Sequence, residues 1–426
     1  MSHVAILETT RTGIQIFDIA RMHGIRTTFI TSGKFDGLYP TEERDRLHKL
    51  ASEVIHVADS HDVEQVASAL RASHARHAID AVFSCLALCA FPAAEAAYAV
   101  GLRGTNPVGV QNARTKSRCR ELLHSHGIPS VGHAVVRTVE QAFDALTSIG
   151  YPAIIKPVTG VAKFLTTLVR QPDDVKRHFA EATANYAGLD DYLRNDVALE
   201  FIVEELAIGP LYSLEVGMSE RDEWMPLAIV RRKTARSNPV LEVGSTMPSG
   251  LDDIQYQAVS DYGRRVMRAL ELDIGMFHME FIYTEQGPRL IEVNPRIAGG
   301  TIPDLIHTAT GVNLFDVLLK IYLGEGVGLG RLPTQVACSQ TYLCAERDCV
   351  VKENLSTDWF EPFRDRIVAG RADIWPGRKL TAHSNNFGAY GMVSVTAPSY
   401  ELAIEKASSV HRDIMNTLDL ALLEAS

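Results

Sequence analysis

Cysteine is scarce in this chain of 426 residues: six thiols (Cys85, Cys89, Cys119, Cys338, Cys344, Cys349), with no CxxC pair and no zinc-ligand spacing. That excludes a disulfide framework and a zinc ribbon, and reads as free thiols in a reducing cytoplasm. Cys85 and Cys89 lie one helical turn apart; a buried pair of small apolar groups is the plainer reading than a ligand pair. No apolar run is long enough to span a bilayer, since the longest charge-free stretch, Ala81 to Ala94, is short and contains Pro92. No block of one charge occurs. The net charge of −10 is spread along the chain, so neither a nucleic-acid footprint nor a membrane partner is expected. MSHVAILETT reads as a strand start and not as a signal peptide. Repeats and low-complexity segments are missing too, and only GEGVGLG (324–330) resembles a linker. The first turn, ETTRTG, lacks GxGxxG, so no dinucleotide site is expected there.

What is present is the composition of a soluble globular protein, 46% hydrophobic and 22% charged, long enough for roughly two to four domains. HVAIL, RTTFIT, EVIHVA and AIDAVFSC alternate with helical periodicity, the pattern of a wound parallel sheet serving as a substrate platform. ARTKSRCRELLHSHGIPS (113–130) reads as a basic helix stopped at Gly127. A helix near 138–149, the strands YPAIIKPVTG and FLTTLVR, a helix over 173–187 and ALEFIVEEL make a small α+β unit. YSLEVGM, WMPLAIVRRK and PVLEVGSTM read as strands and 252–271 as a helix. The hairpin FHMEFIYTEQGPRLIEV follows, then one helix from about Ile302 to Leu323, with Thr301 as its N-cap and Asp304 three residues on. The chain is then strand-rich to about Ser394 and closes with a helix near 399–418. The domains expected are 1–112, 113–207, 208–325 and 326–426.

The hairpin holds the densest chemistry. In RLIEVNPRIAGG (289–300) an apolar strand carries Glu292 and runs straight into Asn294, Arg296, Gly299 and Gly300. A core strand would avoid such unpaired polar groups. Alternation puts Leu290, Glu292 and Asn294 on one face, and His278, Glu280 and Ile282 on one face of the preceding strand. A three-residue loop Glu285-Gln286-Gly287 sets Glu280 opposite Glu292, with Cβ atoms about 5 Å apart. Two carboxylates that close need a cation between them. With the amide oxygen of Asn294 the set is all oxygen, which suits Mg²⁺; solvated or salt-bridged glutamates are the alternative. Arg296 reads either as an ion-pair partner or as a fixed cation beside developing charge. Gly299 and Gly300 make a tight turn or present N–H groups to an anion.

Upstream, Lys156 ends the strand IIKP and is followed by Thr159, Gly160, Val161, Ala162 and Lys163, a small-residue turn able to cradle phosphates. EFIVEELAIGP ends a strand at Glu204, Glu205 and Leu206, where a hinge backbone can meet an adenine edge. Arg231, Arg232 and Lys233 read as a solvated basic edge or as partners of a substrate carboxylate.

Taken in order, Lys116, Lys156, Glu204-Glu205-Leu206, Glu280 and Glu292-Val293-Asn294-Pro295-Arg296 resemble the ATP-grasp superfamily. Within it the whole chain looks most like the carboxylate–amine (L-amino acid) ligase group. The resemblance implies an ATP-grasp fold, α/β plus α+β, with an N-terminal wound parallel-sheet domain and a C-terminal β-rich subdomain. It implies ATP and two Mg²⁺ ions (Mn²⁺ substituting) as cofactors. Lys116, Lys156, Thr159, Gly160 and Lys163 would hold phosphates, and Glu204, Glu205 and Leu206 the adenine. Glu280, Glu292 and Asn294 would hold the metal. Arg296, with Lys156, would be catalytic; His278, Gly299 and Gly300 would meet substrate. The activity implied joins a small-molecule carboxylate to an amine through an acyl-phosphate, in a family where homodimers are common. Alternatives are an ATP-grasp carboxylase or formyl-transferring ligase of purine or biotin type, and a non-catalytic nucleotide-binding module. Two departures stand out. TGVAKFLTT has Lys163 and Phe164 where relatives have small residues, and Leu211 stands where many have a ribose-binding Glu, with Glu215 as the compensating candidate.

Overall fold

The computed structural model describes residues 1–426 except 161–162, 190–193, 195–196, 198, 221–222 and 386–387. Val161 and Ala162 of the expected phosphate turn therefore lie outside the described residues.

The chain opens with β1 (His3–Leu7), α1 (Gln15–Met22), β2 (Arg26–Thr31), α2 (Thr41–Leu50), β3 (Glu53–His56), α3 (Val63–Arg76) and β4 (Ala81–Phe83). The strands form a parallel sheet in the order β3-β2-β1-β4. All five residues of β1 are buried, as expected of a parallel strand covered on both faces. At its carboxyl end Glu8 is fully buried at φ +50. Its carboxylate accepts bonds from Thr31 Oγ1 (2.9 Å), the Ser32 amide (2.6 Å) and Ser60 Oγ. A side chain thus fills the crevice at the strand ends where a dinucleotide fold would bring in its phosphates.

Helices α4 (Ala90–Ala99), α5 (Pro107–Arg114) and α6 (Lys116–Ser125) lead into the second unit. There β5 (His133–Val136), α7 (Val139–Ile149), β6 (Ala153–Pro157), β7 (Thr167–Val169), α8 (Pro172–Ala187) and β8 (Phe201–Glu205) make an antiparallel sheet in the order β5-β8-β6-β7.

The third layer is one eight-stranded antiparallel sheet. Its strands are β9 (Leu211–Met218), β10 (Trp224–Thr234), β11 (Glu242–Met247), β12 (Gly275–Thr284) and β13 (Gly287–Asn294), extended by β14 (Ala337–Tyr342), β16 (Ala369–Ala372) and β18 (Gly391–Ala397). The order is β13-β12-β9-β10-β11-β14-β18-β16. A two-stranded ribbon of β15 (Cys349–Val350) and β17 (Lys379–Leu380) sits beside it. The last hundred residues thus prolong the sheet that carries the hairpin. α9 (Asp253–Ala269) covers one face with Val259, Val266 and Met267 against Leu214, Met279 and Phe281. α10 (Ile302–Thr310) and α11 (Leu314–Tyr322) join the other face to the N-terminal domain through Phe315, Leu318 and Ile321. α12 (Tyr400–Leu418) closes the chain.

Two local expectations need correction. The segment from Ile302 is two helices, because Gly311 turns left-handed at φ +77 and the Asn313 side chain caps a new helix through the Phe315 amide. Thr301 precedes α10 without capping it; its hydroxyl donates to Gln340 Oε1 at 2.6 Å instead.

The hinge between the second and third units passes through Gly209 at φ +151, where an added Cβ would lie 2.2 Å from the Tyr283 carbonyl oxygen. Gly209→Ala is therefore expected to lower unfolding free energy by about 1–3 kcal/mol. Denaturant titration checks this, and an unchanged midpoint would show that the hinge has slack.

Candidate active site

The hairpin is built differently from the simple alternation, with the same pairing at its centre. Thr284 pairs with Gly287, leaving a two-residue loop of Glu285 and Gln286, and the ladder continues to Phe281–Leu290. It then slips by one, so that Glu280 pairs with Glu292 and His278 with Asn294, while Ile291 has no opposite number. Ile291 is a β-bulge. It corrects the expected three-residue loop and the expected face: Leu290 and Val293 lie in the core with Met279 and Phe281, and Glu292 lines the cavity described next. The free carbonyl of the bulge accepts a bond from Arg120 Nη2 at 2.8 Å.

Between the second unit and the large sheet lies a cavity of ≈ 290 Å³. Lys116, Lys156, Gly160, Lys163, Glu204, Glu205, Leu206, Glu280 and Glu292 all stand on its wall, together with Phe164, Ile208, Ile282 and Ile291. A second cavity, ≈ 30 Å³, shares Lys116, Gly160 and Glu292 with it and is otherwise bounded by Ala87, Ala113, Arg114, Val293, Asn294 and Pro295. Thr159, Glu215, His278, Arg296, Gly299 and Gly300 are on neither wall among the described residues.

Three carboxylates here, Glu204, Glu242 and Glu292, meet a cation of the chain itself. Lys116 sits at the first turn of α6, whose start is tied to the end of β6 by a bond from the Lys116 amide to the Val158 carbonyl (2.9 Å); its ammonium is 3.6 Å from Glu292 Oε2. Glu204 is buried between Lys156 (2.7 Å) and Arg120 Nε (2.9 Å). Burial alone would raise the Glu204 carboxyl; Arg120 and Lys156 outweigh it and hold it at about 2. Lys156 is shifted down by burial, with Glu204 opposing. Lys163, at φ +60, reaches from the small unit to Glu242 and donates to the Val240 carbonyl (3.0 Å). Glu242 also meets Arg232, and the two cations overcome its burial to keep it below the usual range. Glu205 accepts from the Gly132 amide (3.1 Å), and Leu206 lies just past the last ladder pair, Ala153–Glu205.

On the hairpin, His278 is buried, with Nδ1 2.8 Å from Glu215 Oε1 and Nε2 3.1 Å from Glu280 Oε1. Burial pushes His278 down, but the two carboxylates lift it to about 9. Both ring nitrogens of His278, and Oε1 of Glu215, are thus hydrogen-bonded within the chain. Burial and Glu242 push Glu280 up, yet His278 and Lys163 leave its carboxyl below the usual range. Its Oε2 is buried with no hydrogen-bond partner among the described residues. Asn294 Nδ2 donates to Glu292 Oε1 at 3.1 Å, which leaves the amide oxygen free of that bond. Half-buried Arg296 lies in the field of Glu292, Glu280 and Glu215, and Gly300 at φ +61 accepts a bond from Thr12 Oγ1 at 2.7 Å.

Arg231, Arg232 and Lys233 do not form a solvated edge. Arg232 is buried on Glu242, Lys233 is buried against Ser339 Oγ (2.7 Å), and Arg231 stacks over Tyr212. Arg120 was absent from the expected site, although it follows Lys116 by four residues and so shares its helix face. Arg114 and Ala87 of the second cavity carried no comparable sequence signal.

This arrangement defines a class. Residues 149–304 match the family model of the ATP-grasp domain, and the fold is that of ATP-grasp proteins. The chain carries an ATP-grasp domain. More particularly, it is 26% identical over 256 residues, 57% of this chain and 54% of the relative, to an alanine–anticapsin ligase of Bacillus amyloliquefaciens. The solved structure of an L-amino acid ligase from Bacillus licheniformis is similar at a TM-score of 0.75 and 18% identity, covering 100% of this chain and 99% of that one. A carboxyaminoimidazole ribonucleotide synthase from Aspergillus clavatus, complexed with ATP, gives 0.71 at 16% identity over 98% and 99%. The aligned stretches span from 60% down to 20% of the length of the curated relatives.

Removing the Glu204 charge strands two buried cations. Glu204→Gln is expected to destabilise the protein by about 3–5 kcal/mol at neutral pH. The folded carboxyl is held at about 2 against an ordinary 4.5, so its contribution is full above pH 4.5 and is lost as pH falls through 2. Denaturant midpoints of native and variant protein should differ by a constant amount above pH 4.5 and converge toward pH 2. A gap independent of pH would refute this assignment.

Proposed function

We propose that this protein is an ATP-dependent carboxylate–amine ligase that joins two small amino-acid-like substrates through an acyl-phosphate. The observation that carries the reading is the shared wall. A nucleotide-scale cleft and a second pocket meet at Lys116, Gly160 and Glu292, with Glu280 opposite Glu292. Phosphoryl transfer to a second substrate needs such a junction.

The hairpin fits Mg²⁺. Glu280 Oε2 is a buried, unpartnered carboxylate oxygen, and Glu292 and the Asn294 amide oxygen complete a hard-oxygen set of the kind that holds the ion by one or two carboxylates. When bound, the metal (two ions, Mn²⁺ substituting) neutralises phosphate charge. The chain's own residues do the rest. The hinge at Glu204–Leu206 places the base. Lys116, Lys156 and Lys163 exchange their internal carboxylates for phosphate oxygens, aided by the Thr159–Gly160 backbone. A substrate carboxylate oxygen attacks the γ-phosphorus, and the bond from that phosphorus to the bridging oxygen of ADP breaks. The substrate amine then attacks the acyl carbon, loses a proton, and the carbon–oxygen bond to phosphate breaks. Arg296 stands beside the charge that develops on the acyl oxygen. Gly299 and Gly300 border the substrate, and the 150–207 unit keeps water from the acyl-phosphate.

The size of the second pocket, ≈ 30 Å³, favours a second reading: a one-carbon acid, bicarbonate or formate, as the phosphorylated group. Phosphate release measured with Mg²⁺-ATP over amino-acid pairs, bicarbonate and formate separates the two. Release that needs two substrates, with a product mass equal to their sum less water, is the expected outcome. ADP formed without a second substrate would sink the ligase reading. In the same assay Arg296→Met should lower kcat by about 10²–10³-fold with ATP affinity little changed; an unaltered kcat removes Arg296 from the chemistry.

A further inference from the structure

The metal reading uses Glu280 and Glu292 but leaves a buried histidine and a third glutamate behind them unexplained. Glu215 of β9 lies directly across the ladder from His278, and His278 across from Asn294. All belong to central or adjacent strands of one sheet, so their backbones are fixed by ladder bonds on both sides of β12. The imidazole bridges the two carboxylates, Nδ1 on Glu215 Oε1 and Nε2 on Glu280 Oε1. Glu215 is 1% exposed and His278 4%. Two buried carboxylates on adjacent strands would repel without a cation between them, so the chain Glu215–His278–Glu280 is a built arrangement.

Its consequence is geometric. The bond from His278 takes Oε1 of Glu280 and leaves Oε2 as the buried oxygen without a partner. On the facing strand Asn294 takes Oε1 of Glu292 from two residues away, as His278 does for Glu280. Each of these carboxylates thus has one oxygen tethered by a neighbour on its own strand; the other is unpartnered in Glu280 and 3.6 Å from the Lys116 ammonium in Glu292. We propose that His278 and Glu215 are positioning residues that aim one oxygen of Glu280 at the metal: Glu215 holds the imidazole, and the imidazole holds the carboxylate. This role rests on the assignment of Glu280 as a metal ligand, and it corrects the expectation that His278 meets substrate.

Mn²⁺ binding to the whole protein in the presence of ADP, followed by electron paramagnetic resonance, tests it without turnover. Thermal melts in metal-free buffer report folding separately. Glu215→Gln keeps an acceptor for Nδ1 and should bind Mn²⁺ within a few-fold of wild type. Glu215→Leu releases the ring and should weaken Mn²⁺ binding by about 10–100-fold, the range for groups that orient metal ligands. If Glu215→Leu folds poorly, the double variant Glu215→Leu/His278→Leu replaces the buried polar pair by an apolar one. It should weaken Mn²⁺ binding by the same factor, because the two residues act in series. Wild-type Mn²⁺ affinity in a folded Glu215→Leu or double variant would overturn the positioning role. A Glu280→Gln variant that binds Mn²⁺ as tightly as wild type would overturn the metal reading itself, and the two failures are distinct.

Discussion

One register slip governs the site. The two-residue turn at Glu285-Gln286 dictates a ladder in which, with no bulge, Glu280 would face Ile291 and Glu292 would face Met279. Side chains alternate with a period of two, so a one-residue shift moves a whole strand segment to the other face. Glu292 would then be driven into the cluster of Met279, Phe281 and Val293, where no cation waits. The bulge at Ile291 restores the phase. It lets Leu290 and Val293 both enter the core and turns Glu292 outward beside Glu280. The displaced carbonyl is satisfied by Arg120, whose Nε also holds Glu204. The bulge and the hinge strand β8 are therefore linked through one buried guanidinium.

That guanidinium belongs to a wider pattern of charge. The site collects Lys116, Lys156, Lys163, Arg120 and Arg232 against Glu292, Glu204 and Glu242, from α6, the small unit and the large sheet. Every member would be costly alone in a half-buried cleft. Paired, they offset one another's burial and hold the walls of the cleft together. The pairs also link the units: Lys116 reaches from α6 to β13, and Lys163 from the small unit to β11. A polyanion with its counter-ions can enter such a cleft by exchange. On the proposed function, the lysines would turn from carboxylate to phosphate oxygens, and the carboxylates they leave would be taken by the cation that arrives with them. The net change in buried charge is small, which is what makes binding there tolerable.

The order and type of most elements were legible because their periodicities are strong and their ends carry ordinary signals, such as Gly127 after α6. The break between α10 and α11 was legible in principle, since Thr310-Gly311-Val312-Asn313 holds both a stop and a cap, and a continuous apolar stripe masked it. The pairing of Glu280 with Glu292 was legible, but for an incomplete reason: loop length alone implied it, whereas the fold reaches it by a shorter loop plus a bulge. A bulge leaves almost no trace in sequence, because its cause is the core's demand for Leu290 and Val293 together. The fates of Glu215, His278 and Arg232 were hidden for a similar reason. Each is fixed by a partner on another strand, and cross-strand partners follow from register rather than from local pattern.

The second pocket ties these threads to chemistry. Its wall includes Asn294 and Pro295 beyond Glu292, Arg114 and Ala113 at the end of α5, and Ala87 from the N-terminal domain. The next turn of the same segment is joined to that domain by the bond from Thr12 to Gly300, and α10 by the bond from Gln15 to Asp304 (3.0 Å). A single stretch, residues 292–304, therefore passes from the larger cavity, along the second pocket, to the interface with the parallel sheet. Ala87 and Ala113 leave part of the second pocket's wall without bulky side chains.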